Sequence, residues 1–141
     1  MYKPYLFIII AYLLFGSTSL IAQEKKTVSP EVVAISEYTL KDSTQTEAFE
    51  KSMHEFLKIF NVNFPGIRWE VYKADRGHYK GKYIEVTTID TEARRNYYFP
   101  QEGKMGEAFA TIWNRPEVNE KWLKVEPYIT FKWQGDYIKI K

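Results

Sequence analysis

Residues 66–90, GIRWEVYKADRGHYKGKYIEVTTID, constrain the fold of this chain more than any other stretch. Ile67, Trp69 and Val71 alternate with Arg68, Glu70 and Tyr72. Ile84, Val86 and Thr88 alternate in the same way with Tyr83, Glu85 and Thr87. Successive side chains on a strand point to opposite faces, so the stretch reads as an antiparallel hairpin with one apolar and one polar face. Pairing Val71 with Ile84 sets Trp69 against Val86 and centres the turn on Gly77-His78. Glycine at that first central position suits a type II′ turn. The same register opposes Tyr72 to Tyr83, and it opposes Glu70 to Glu85 at some electrostatic cost. A slip of two residues relieves that clash and centres the turn on His78-Tyr79, without the glycine.

The chain around the hairpin supplies what must cover its apolar face. Val32, Val33, Ala34 and Ile35 run together and then give way to Ser36, Glu37, Tyr38 and Thr39. A continuous apolar run suits a central strand, and the polar half suggests that it emerges toward an opening. Residues 42–64 read as a helix. Phe49, Met53, Phe56, Leu57 and Phe60 make one apolar stripe, and Thr44 with Glu47 fits a capping box. A second helical region, residues 91–126, starts at a cap on Asp90 or Thr91 and is broken by Pro100, Gly103 and Gly106. It resumes through Phe109, Ile112 and Trp113, and reopens at Pro116. Ile129, Phe131 and Trp133 mark a last strand, with Gln134-Gly135-Asp136 as a turn or bulge. The order strand, helix, strand, strand, helix, strand is that of an α+β, ferredoxin-like βαββαβ sandwich. It places helices on one face of an antiparallel sheet. Ile67, Trp69, Val71, Ile84, Val86, Ile129, Phe131 and Trp133 are expected to face the helices. Arg68, Glu70, Tyr72, Tyr83, Glu85, Thr87, Thr130 and Lys132 are expected on the other side.

The first residues fall outside this pattern. Lys3, an apolar run over residues 5–15 and small residues up to Ala22 read as a secretory signal peptide over 1–22, cleaved before Gln23. Residues 23–30 then form a flexible lead, and 31–141 the domain. Removing 1–22 takes away Lys3 alone among charged residues, so the formal charge falls from +2 to +1 and 119 of the 141 residues remain. That balance offers no footprint for nucleic acid. The expected compartment is periplasmic or extracellular, with no membrane attachment after cleavage. The absence of cysteine excludes a disulfide-stapled scaffold and thiol catalysis.

The element order, the length and the broken segment TEARRNYYFPQEGKMGEAFATIW resemble the dimeric α/β-barrel superfamily, which includes antibiotic-biosynthesis monooxygenases, haem-degrading monooxygenases and NIPSNAP-like proteins. The resemblance implies a homodimer closed sheet to sheet. It also implies a small aromatic ligand held between sheet and helices, and chemistry that is often cofactor-free. No position matches the histidine ligand of the haem-degrading members.

Motifs for phosphate loops, serine hydrolases and zincins are absent, and His54 and His78 are not spaced as a metal cluster. No metal and no cofactor is expected. The candidate site lies between the first helix and the sheet, near the broken segment, whose glycines suit a lid. His54 is the candidate proton acceptor, histidine being the residue type that ordinarily changes charge near neutrality, although a partly exposed structural role suits it better. Trp69 would form an aromatic wall. Arg94, or its neighbour Arg95, would clamp an anion, and Tyr38, Tyr97 and Tyr98 would line the ligand. Two functions fit: an exported small-molecule protein, as a cofactor-independent oxygenase or isomerase of an aromatic compound, or a non-catalytic binding or structural module of the envelope.

Overall fold

The computed structural model describes residues 31–139, so the expected signal peptide (1–22) and lead (23–30) lie outside the described residues. The elements follow the order β1 (Val32–Leu40), α1 (Thr46–Asn63), β2 (Ile67–Lys73), β3 (Tyr83–Ile89), α2 (Glu92–Tyr98), α3 (Glu107–Trp113), α4 (Pro116–Trp122) and β4 (Ile129–Ile138). The strands lie β2-β3-β1-β4, each antiparallel to its neighbour. With the helices on one face, this is the α+β, ferredoxin-like arrangement that the element order predicts. No helix among the described residues is long and apolar enough to cross a membrane.

α1 buries Phe49, Met53, Phe56 and Phe60, which recur at three- and four-residue spacing and so share one face. Its start differs from the expected capping box. Asp42 Oδ1 accepts from the Thr44 N–H at 2.9 Å and from Thr44 Oγ1 at 2.7 Å, and a 3-10 turn (Ser43–Gln45) precedes the α-helix. Asp42 outcompetes the threonine because its carboxylate accepts both donors at once. At the other end Gly66 turns the chain into β2 at φ +77°, where a Cβ would lie 2.6 Å from Asp90 Oδ2. The helix and the strand after it are also joined by Asn61. Its amide donates to the Trp69 carbonyl at 2.9 Å and accepts from the Trp69 N–H at 2.7 Å, so it acts as a strand neighbour on the open edge of β2.

The hairpin register overturns both expected pairings. Val71 faces Glu85, Trp69 faces Thr87 and Ile67 faces Ile89. This is one residue away from either alternative, and a one-residue slip moves every side chain of a strand to the other face. Tyr83, Glu85, Thr87 and Ile89 therefore point to the helices, and Ile84, Val86 and Thr88 point away. Two causes are visible. The connection is a loop of residues 74–82 with Gly77 and Gly81 at positive φ, closed by Ala74 N–H to Lys82 O and Gly81 N–H to Ala74 O, both 2.9 Å, in place of a two-residue turn. In addition, Tyr83 stacks edge-on to Phe49 at 4.7 Å and donates to Glu50 at 2.6 Å, which holds it against α1.

β4 also runs further than expected, pairing with β1 along its whole length. A bulge at Gln134 interrupts the register, which passes from Ser36↔Trp133 to Ile35↔Gly135. Gly135 takes φ +150° there, which a side chain would strain. Thr91 caps α2 through the Arg94 N–H at 3.0 Å, and Pro116 opens α4. Between α2 and α3, residues 99–106 fold into a tongue with a Gln101↔Lys104 bridge. The tongue is clamped at its base by the Gly106 N–H on the Tyr98 carbonyl at 2.7 Å. The helices meet the sheet through aromatic rings: Phe60 lies 4.5 Å from Trp69 and 4.2 Å from Phe64, and Phe109 lies 4.7 Å from Phe64 and 5.5 Å from Trp113. Each such pair adds about 0.5–1.5 kcal/mol beyond simple burial.

Candidate functional site

The helices do not cover the whole inner face of the sheet. Between that face and the tongue lies an open cleft of about 1030 Å³. Its floor is built by the two central strands, which contribute Ala34 and Ser36 from β1 and Glu85 and Thr87 from β3. Phe60, Trp69, Phe109 and Trp113 form one wall, and Phe131 and Trp133 on β4 form the other. Both β4 rings are large and solvent-exposed, so this wall is open on its outer side. Arg95 of α2 meets Asp136 of β4 at 3.3 Å, and both line the cleft. A mainly apolar cavity with a few converging polar groups is the usual form of a small-molecule site.

The polar group with the most chemistry is Glu85. The one-residue register places it inward, and it is only 6 % exposed. Thr87 Oγ1 donates to its Oε1 at 2.7 Å, and the Tyr38 hydroxyl donates to its Oε2. Burial pushes the Glu85 carboxyl up to about 6, and the two hydroxyl donors, which favour the charged form, only partly offset that rise. Burial, and then the charge of Glu85, pushes the Tyr38 phenol upward, so Tyr38 stays a donor. The Trp69 indole Nε1–H is buried beside this pair and leans toward the Tyr38 hydroxyl, outside hydrogen-bond geometry. A carboxylate that is ionised at neutral pH, raised in basicity and set among aromatic rings is suited to take a proton from a bound molecule.

Of the side chains singled out from the sequence, Trp69 lines the cleft as a wall. Tyr38 follows Ser36 on the same face of β1, fully buried beside the floor, and reaches the site through Glu85. Tyr98 is buried in the core, edge-on to Phe64 at 6.1 Å and to Phe109 at 6.2 Å. Tyr97 is exposed and borders a shallow groove on the helical side. Arg94 pairs with Asp90 at 3.4 Å, and its neighbour Arg95 takes the place at the cleft. His54 is exposed on α1 and is not among the cleft-lining residues. Residues at i and i+1 on a helix lie about 100° apart, so His54 turns away from the face on which Met53 is buried.

Glu85 and Ser36 were not among those candidates. Alternation placed Glu85 on the polar face because a charged residue between two aliphatic ones reads as outward. The available signal was the polar half of β1, Ser36 to Thr39, which pointed toward an opening. Among the described residues no group of three or more His, Cys, Asp or Glu is placed to hold a metal ion.

No family model and no curated protein matches the chain. Its fold is nevertheless shared with solved structures of low sequence identity. SnoaB, a cofactor-independent oxygenase from Streptomyces nogalater, superposes with a TM-score of 0.53 at 12% identity, over 80% of this chain and 96% of that one. An antibiotic-biosynthesis-monooxygenase-like protein from Nitrosomonas europaea gives 0.54 at 13%, over 79% and 92%. A NIPSNAP family protein of unknown function from Agrobacterium tumefaciens gives 0.54 at 14%, over 78% and 86%. At these identities the likeness establishes the ferredoxin-like fold.

Proposed function

We propose, from the ferredoxin-like fold shared with monooxygenase-like proteins, that this chain is an exported, dimeric enzyme that binds a small aromatic compound and removes a proton from it with Glu85. The observation that carries the reading is the buried carboxyl, pushed up to about 6, on the floor of an aromatic-walled cleft. Removing a proton from a phenol or an activated C–H leaves an electron-rich anion. Reprotonation at another carbon makes an isomerase. Reaction with dioxygen, with one oxygen atom entering the product and the other leaving as water, makes an oxygenase whose electrons come from the substrate. SnoaB is described as cofactor-independent, and a positioned carboxylate that takes the substrate proton is one way a protein can begin such chemistry.

The outer sheet face favours the dimer. It carries half-buried Val33, Ile35, Ile84 and Val86, an apolar centre that a second copy would cover. Export rests on the sequence of residues 1–22. N-terminal sequencing of material recovered from export-competent cells should begin near Gln23, and an intact Met1 on membrane-bound protein refutes it.

The enzyme is tested by a thermal-shift screen of phenols and aromatic acids, followed by oxygen-uptake and product assays of the hits with the wild type and Glu85→Gln. Turnover that rises through pH 6 and is lost in the variant is the expected result. Full turnover by the variant removes the base. The exposed Phe131, Trp133, Tyr137 and Ile138 along β4 favour a second reading, a non-catalytic envelope module. Hits that bind equally well to both proteins and are recovered unchanged support that reading instead.

A further inference from the structure

Ser36 stands directly opposite Glu85 in the antiparallel pairing of β1 with β3. Both side chains lie on the same face and line the same cleft. Opposite residues of such a pair have Cβ atoms roughly 4.5–5.5 Å apart. Yet Ser36 and Glu85 do not bond to each other, and no hydrogen bond engages the Ser36 hydroxyl among the described residues. Ser36 is only 2 % exposed. A hydroxyl that opens into a cavity and has no protein partner is free to donate to a bound molecule.

The hydrogen-bonding capacity on the Glu85 side is complementary. Its Oε1 accepts from Thr87 and its Oε2 from Tyr38. An ionised carboxylate offers about four acceptor positions, so some remain for a ligand. It offers no donor. Ser36 can donate its one proton. The floor therefore presents an acceptor and a donor side by side, beneath walls of Trp69, Trp113 and Trp133 that suit a flat ring.

We propose that Ser36 and Glu85 form a two-point recognition site for planar aromatic ligands carrying two oxygens on adjacent carbons, with Glu85 taking the proton of one and Ser36 donating to the other. The proposal rests on the reading of Glu85 as the base and names the substrate class for it. The step balances without a further reactant. The ligand O–H bond breaks, its proton moves to a Glu85 carboxylate oxygen and the electron pair stays on the ligand oxygen. The charge spreads over the ring, the neighbouring hydroxyl donates to the anionic oxygen, and the Ser36 O–H donates to that neighbouring oxygen in turn. A ligand with a single hydroxyl satisfies Glu85 and leaves Ser36 unpaired, which is the origin of the selectivity.

The test compares two probes of equal ring size, 2,3-dihydroxynaphthalene and 2-naphthol. Binding is followed by quenching of the cleft tryptophans at pH 7.5 with the wild type, Ser36→Ala, Ser36→Thr and Glu85→Gln. The wild type should prefer the diol by roughly tenfold, the effect of one buried neutral hydrogen bond. Ser36→Ala should abolish that preference, and Ser36→Thr should retain it. Glu85→Gln should weaken both probes. If Ser36→Ala keeps the preference while both probes still depend on Glu85, the role of Ser36 falls and the base stands. If the probes bind Glu85→Gln as well as the wild type, or do not bind the wild type, both fall. Should Ser36→Ala not fold, the comparison passes to Ser36→Thr, whose added methyl leaves the hydroxyl in place. An unchanged preference there supports the hydroxyl, and a lost preference overturns it.

Discussion

Glu85→Gln should make the folded protein more stable at neutral pH. A carboxyl raised from 4.5 to about 6 on folding binds its proton more tightly in the folded than in the unfolded chain. Between those two values the folded state holds more protons, so stability falls as pH rises through that window. At about 1.4 kcal/mol per unit, the ionised Glu85 costs about 2 kcal/mol above pH 6. The side chain is almost wholly buried, so solvent screening does not reduce this much. Glutamine has nearly the same shape, and the hydroxyls of Tyr38 and Thr87 can turn to meet its amide. Any hydrogen bond that is weakened shifts the difference between the two proteins by a constant. Only titration of Glu85 gives that difference a slope. The assay is urea unfolding of both proteins from pH 4 to pH 8. The expected gain of the variant over the wild type grows by about 2 kcal/mol across the window and levels off above it. In melting temperature this is on the order of 10 °C for a domain of this size. Glu37, Asp42, Glu50 and Glu55 are held below their usual range by their partners, Lys82, Thr44, Tyr83 with Lys73, and Lys121. They act in the opposite sense, gaining stability as pH rises, and are common to both proteins, so they cancel in the difference. A difference flat to within about 0.5 kcal/mol over the range refutes the buried, basic carboxyl.

Tyr38→Phe removes one donor that holds the Glu85 carboxyl down, so the acid limb of any pH–activity profile should move above 6, and an unmoved limb refutes that coupling. Asn61→Ala strips two hydrogen bonds from the Trp69 backbone and should cost about 1–2 kcal/mol by urea unfolding, and a loss under 0.3 kcal/mol means that water replaces them. Gly135→Ala should lose about 1–3 kcal/mol, because φ +150° at the β4 bulge excludes a side chain without strain, and an unchanged melting temperature means that the bulge relaxes. Tyr72→Asp, on the outer face of β2, should convert a dimer to a monomer in light scattering at micromolar concentration, and a wild type of monomer mass at that concentration rejects the sheet-face dimer.

The amino-acid sequence by itself determined the element order and the faces of its long helix. Phe49, Met53, Phe56 and Phe60 recur at a period that only a helix brings to one side, and breakers at Pro65, Pro100 and Pro116 mark where the elements change. Those signals are local, and each is carried within a few residues. The face of β3 was decided by the tertiary structure. Period-2 alternation separates Ile84, Val86 and Thr88 from Tyr83, Glu85 and Thr87 but does not say which set faces the helices. Hydrophobicity then gave the wrong answer, because the inward set is polar and is stabilised by partners distant in the chain: Tyr38 and Glu50 lie 47 and 33 residues away from the groups they bond. The same distance hid the site. Glu85 and Ser36 are unremarkable where they stand in the chain, and they acquire chemistry only when β1, β3, α2 and β4 meet around one cleft. His54 shows the reverse: its side chain suits proton transfer in isolation, and the rotation of one helix places it in solvent.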